Sequence, residues 1–74
     1  MEQTILTIIN SIRIAQELAP LSELHPTDNL REDLELTSFD LAELTVSIED
    51  KYGIDIFEEG LVNTIGEIYS KLQQ

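Results

Sequence analysis

Between residues 4 and 18 the apolar positions Ile5, Ile8, Ile9, Ile12 and Ala15 recur every third or fourth residue, and Leu6, Ile14 and Leu18 widen the stripe. That spacing predicts an amphipathic helix over about 4–18. Pro20 should close it, because the residue before a proline is driven out of helical backbone. Residues 20–36 carry Pro20, Pro26, Thr27, Asp28 and Asn29 and read as a long loop of turn residues, pinned to the core by Leu21, Leu24, Leu30 and Leu34. An ordered loop of that length in a small domain is uncommon and often functional.

The segment Thr37-Ser38-Phe39-Asp40 has the form of a capping box, with Asp40 in place of the usual Glu or Gln. A second helix should therefore begin with Thr37 as N-cap and end near Tyr52, where Gly53 can take the left-handed conformation that terminates helices. The stretch GIDIFEEGLVN predicts no more than one or two helical turns, around Phe57 to Val62 and including the acidic Glu58-Glu59 pair. Thr64-Ile65-Gly66-Glu67 is a full capping box, and Ile65, Ile68, Tyr69 and Leu72 continue it at i, i+3, i+4 and i+7. The expected fold is all-α: a small four-helix bundle of three main helices and one short one, with a long loop after the first, in a single domain over 1–74.

The second helix has two apolar stripes rather than one. At 100° per residue Leu41, Leu44, Ile48 and Tyr52 share a face, which reads as the core side. Phe39, Ala42 and Val46 lie opposite, with Glu43 and Asp50 on one flank and Glu49 on the other. An apolar strip rimmed by acids suits a partner that is apolar at its centre and basic at its edge. Asp40 and Glu43 sit where the helix dipole favours negative charge, but Glu49 and Asp50 sit near the C-terminal end, where each costs about 0.3–1 kcal/mol. Two plainer readings compete: a solvated acidic face, and packing of the Phe39 stripe under the 20–36 loop.

Charge narrows the partners. Fifteen Asp and Glu against four Lys and Arg give a formal charge of -11, a field that repels nucleic acid and anionic membranes and attracts basic protein surfaces. Disorder is the rival explanation of such acidity, but 42% hydrophobic residues placed with clear period favour a folded chain. The apolar N-terminus lacks a basic leader region and a small-residue cleavage site, and no apolar run approaches membrane-spanning length, which points to the cytoplasm.

The chain offers little reactive chemistry of its own. It has no cysteine and one histidine, so disulfides, thiolate metal sites and histidine clusters are out of reach. Ser38 lacks a glycine-rich elbow, and His25 is its sole candidate base, so hydrolase chemistry fits poorly. Ser38 could be an ordinary first residue of a capped helix. What the position offers beyond that is a hydroxyl at a helix N-terminus, where backbone N–H groups favour an attached phosphate.

These residues resemble the acyl carrier proteins, the small acidic four-helix carriers of fatty-acid and polyketide synthesis. The matching text is LREDLELTSFDLAELTVSIEDKYGIDI, residues 30–56, and the likeness extends to the isoleucine-rich first helix, the long loop, the acidic Phe57-Glu58-Glu59 segment and the Thr64-Ile65 helix. The resemblance implies that Ser38 receives a covalent 4'-phosphopantetheine arm from coenzyme A, through a magnesium-dependent phosphopantetheinyl transferase. It implies a non-catalytic carrier, with no metal of its own, that works as a monomer and holds acyl groups as thioesters on the arm. Phe39, Asp40, Ala42, Glu43, Val46, Glu49 and Asp50 become the docking positions for acyl-transferring, condensing or acyl-activating enzymes with basic patches. Leu44, Ile48, Tyr52, Ile56 and Ile65 become candidates for lining a cargo cavity, with plain core as the alternative. The family's Asp before the serine is Thr37 here and its following Leu is Phe39, which suggests a specialised, polyketide-type carrier. An aminoacyl or peptidyl carrier, and an acidic interaction module that never receives an arm, are the alternatives.

Overall fold

A computed structural model describes every residue except Glu59 and Gln74. Among the described residues three helices form: α1 over Glu2–Ala15, α2 over Ser38–Tyr52 and α3 over Ile65–Leu72. They enclose one core, in which Ile5, Ile9, Leu44, Ile48, Ile65 and Ile68 from the helices and Leu30 and Ile56 from the loops are fully buried. Burying each such side chain stabilises the fold by about 1.5–3 kcal/mol. Among the described residues no helix is long and apolar enough to cross a membrane.

α2 and α3 start as their capping boxes dictate. Thr37 and Thr64 each accept a hydrogen bond from the backbone N–H three residues on, at 3.2 Å, and each receives the reciprocal carboxylate, from Asp40 and Glu67. α2 ends at Gly53, whose φ of 69° lets its N–H reach Glu49 O at 2.8 Å.

α1 departs from its expected bounds. It stops at Ala15 rather than running to Leu18, and Pro20 is not what stops it. Glu17 turns left-handed at φ 64°, its N–H reaches Ile14 O and the Leu18 N–H reaches Arg13 O, both at 2.9 Å, which is the Schellman arrangement. The stripe also shifts by one position: Ile14 is 57% exposed and Ala15 exposed, while Arg13 is buried. Arg13 can be buried because its guanidinium donates to Ala19 O at 3.1 Å and Leu34 O at 2.7 Å, with the Glu35 carboxylate 3.8 Å away.

The expected long loop is present and ordered by side-chain clips. Asn10 exchanges two hydrogen bonds with the main chain of Leu21, at 2.7 and 2.9 Å. Leu30 and Leu34 are buried and Leu21 and Leu24 pack against the core, as expected. Leu30 N–H reaches Asn63 O at 2.9 Å, beside an antiparallel bridge between Asn29 and Thr64.

The short helix expected around Phe57 to Val62 is not met among the described residues, and Glu59 of that expectation lies outside them. Turns stand there instead. The Asp55 carboxylate accepts the Phe57 N–H at 2.9 Å, Glu58 N–H bonds Asp55 O, and Gly60 N–H bonds Phe57 O. Gly60 at φ 136° is far from helical backbone, which is why the coil does not propagate through it.

Candidate functional site

The candidate site lies at the head of α2. Its approach is held by Arg13: the bond to Leu34 O fixes the chain just before Glu35, which sits in left-handed backbone at φ 60°. That conformation costs about 1–2 kcal/mol for a residue with a Cβ. The Arg13 contacts to Leu34 and Glu35 offset it and deliver Thr37 to the cap position. Sequence pattern gave no sign of this role, since an arginine in an amphipathic helix reads as solvated.

Ser38 is the first residue of α2 and is exposed. Its hydroxyl makes no hydrogen bond among the described residues, and neither do the N–H groups of Ser38 and Phe39. The equivalent groups of α3 are closed off, Ile65 N–H by Asp28 O at 3.1 Å and Gly66 N–H by Pro26 O at 2.9 Å. A hydroxyl with two unpaired N–H groups beside it fits an attached phosphate ester, whose oxygens would accept from them. His25 does not line this region; it lies 3.1 Å from the Glu23 carboxylate and 3.6 Å from that of Asp28. Among the described residues no group of three or more His, Asp or Glu side chains could hold a metal ion.

The outer stripe of α2 is a surface. Phe39 is 71% and Val46 68% exposed, with Ala42, Glu43, Glu49 and Asp50 exposed around them. Packing under the 20–36 loop is thereby excluded. Shallow concavities flank Val46, one lined with Glu49 and Asp50, the other with Phe39, Ala42, Glu43 and Ser47. Asp40 differs from the rest of the expected docking set: it is 2% exposed, and its carboxylate accepts the Thr37 N–H at 2.9 Å, so its charge serves the cap.

Of the residues considered for a cargo cavity, Leu44, Ile48, Ile56 and Ile65 are fully buried in the core, and Tyr52 packs against it half-buried. An open groove of about 210 Å³ lies beside the serine, lined among the described residues by Arg31, Ser38, Leu41, Ala42, Thr45, Phe57 and Leu61. Sequence reasoning missed this set because Arg31, Phe57 and Leu61 come from loops, whose placement periodicity does not report. Leu61 of this set, which the structure leaves 79% exposed, lies next to Gly60.

Comparison with known proteins agrees with this geometry. The family model for the phosphopantetheine attachment site matches residues 7–72. A meromycolate extension acyl carrier protein of Mycobacterium leprae is 34% identical over 55 residues, which cover 72% of this chain and 48% of that one. Proteins of the same name from Mycolicibacterium aurum and Mycolicibacterium smegmatis are similar to the same degree, with 57% and 56% of their lengths covered. The chain thus spans about half the length of the curated relatives it matches. No solved structure gives a significant match.

Proposed function

The chain belongs to the phosphopantetheine-attachment-site family, that of the acyl carrier proteins, and from that premise we propose that Ser38 is the residue that takes the 4'-phosphopantetheine arm. The observation that carries this is the exposed Ser38 hydroxyl, unbonded among the described residues, beside the N–H groups of Ser38 and Phe39, unpaired there as well. The arm, when attached, supplies a terminal thiol that holds acyl groups as thioesters. The protein does the rest without catalysis: α2 presents the arm, and the groove from Ser38 past Leu41 and Phe57 to Leu61 offers apolar shelter to the near part of a cargo.

Phe39, Ala42, Glu43, Val46, Glu49 and Asp50 form the docking surface for the phosphopantetheinyl transferase and for acyl-transferring, condensing or acyl-activating enzymes. An apolar centre with an acidic rim suits basic partner patches and speeds encounter with them. The cargo is an acyl chain of the fatty-acid type, a reading supported by the likeness to meromycolate extension acyl carrier proteins. Thr37, where the family has an acid, and Phe39 point to a specialised carrier working as a cytoplasmic monomer. Extension rates equal to those of a housekeeping carrier with general fatty-acid enzymes would count against specialisation.

Intact mass tests the central claim. After incubation with coenzyme A, magnesium and a broad-specificity transferase, the native chain should gain one phosphopantetheinyl group and Ser38→Ala none. Gain on the variant would place the arm elsewhere.

A further inference from the structure

We propose that Arg31 is the counter-ion of the phosphodiester that joins the arm to Ser38. The inference rests on Ser38 as the attachment residue and adds a specific partner for the group attached there.

The chain has four Lys and Arg side chains against fifteen acids. Arg13 is buried and committed to Ala19 O, Leu34 O and Glu35. Lys51 and Lys71 lie in the last turns of α2 and α3 and line other concavities. Arg31 is the cation that lines the same groove as Ser38, and the rest of that lining among the described residues is Leu41, Ala42, Thr45, Phe57 and Leu61. Its backbone is fixed, since the Asn29 side-chain oxygen accepts the N–H groups of Arg31 and Glu32 at 2.9 Å each, and the Asp33 carboxylate holds the Asn29 N–H at 2.7 Å.

Its guanidinium, by contrast, makes no hydrogen bond or ion pair among the described residues, although Glu32 and Asp33 follow it directly in a chain of charge -11. A cation held over an apolar groove, passing over adjacent carboxylates, is matched by an anion delivered into that groove. A phosphodiester on the Ser38 oxygen brings one negative charge to the groove's polar end. In so acidic a chain that charge adds to self-repulsion unless a cation meets it. The planar guanidinium fork suits two phosphate oxygens better than the point charge of a lysine does.

The test loads the native chain, Arg31→Gln and Arg31→Lys from coenzyme A and compares each with its unloaded form. Mass spectrometry comes first: a native chain that gains nothing overturns the Ser38 reading and this inference together. With loading confirmed, thermal melting at low salt should show the native protein unchanged or steadied by the arm. Loaded Arg31→Gln should melt roughly 1–5 °C below its unloaded form, with Arg31→Lys between, and the gap should close in high salt. The Arg31 Nε–H resonance of the native chain should move on loading, before any acyl group is present. Equal melting shifts in native and Arg31→Gln proteins, with that resonance unmoved, would overturn the pairing. So would an Arg31 dependence seen only once the thiol carries a dicarboxylic acyl group, which would assign the residue to cargo.

Discussion

α2 and α3 open with the same device and meet opposite circumstances. Each starts with a threonine whose side chain caps the third N–H and whose own N–H is taken by a carboxylate three residues on. At α3 the next two positions are sealed: Ile65 is fully buried, and Gly66 lies so close to Pro26 that a Cβ there would stand 3.0 Å from the Pro26 carbonyl oxygen. At α2 the same two positions, Ser38 and Phe39, are exposed and their N–H groups unpaired among the described residues. The carboxylates reverse the pattern, with Asp40 2% exposed and Glu67 exposed. One local motif thus anchors one helix into the long loop and leaves the start of another open to solvent. The difference is made by what lies in front of the cap, not by the cap.

The largest effect should come from forcing the sealed end open. Gly66→Val would drive its side chain into Pro26 main chain and should cost about 1–3 kcal/mol in urea unfolding. Phe39→Val, at the matching position of α2, should stay within about 0.5 kcal/mol, because the side chain is 71% exposed. Its loss should appear instead as weaker docking to the transferase, read as a raised KM. Equal destabilisation by the two would erase the distinction between a sealed and a presented end. Next in size are the two cap carboxylates. Asp40→Ala leaves a poorly solvated Thr37 N–H without its acceptor and should cost about 1–2 kcal/mol. Glu67→Ala, in water, should cost about 0.5–1 kcal/mol, also by urea midpoint.

What sequence could report, and what it could not, follows the same line. Both caps, the Gly53 terminator and the inner stripe of Leu41, Leu44 and Ile48 were legible, because each depends on neighbours within one helix. The exposed Phe39 stripe was legible as a pattern, though only the structure excludes a covering loop. Arg13, Asp40 and the groove were misread or unseen, since each depends on contacts made across the fold or on the solvent left around a side chain. Arg13 bonds Leu34 twenty-one residues away, and that contact, not its helical position, decides its burial. The early stop of α1 escaped for a related reason: Glu17 takes the left-handed conformation that composition would assign to glycine.

The smallest expected effect concerns pH and again separates the two ends. Tyr69, on α3, has its phenol pushed above the ordinary 10.0 by burial first, then by the carboxylates of Glu2 and Asp28. Asp28 belongs to the loop that seals this helix, its carbonyl accepting the Ile65 N–H. A phenol whose folded pKa is raised keeps its proton after the unfolded chain has lost it. The unfolded state then binds fewer protons, so stability falls as pH rises. The favourable contribution is complete below pH 10 and disappears as pH climbs through the folded value. Melting temperature followed upward from neutral pH should therefore drop more steeply beyond 10 for the native chain than for Tyr69→Phe, which lacks the proton. Parallel curves would mean that the sealed end carries no charge of its own into alkaline unfolding, and that its closure is entirely a matter of Pro26, Asp28 main chain and packing.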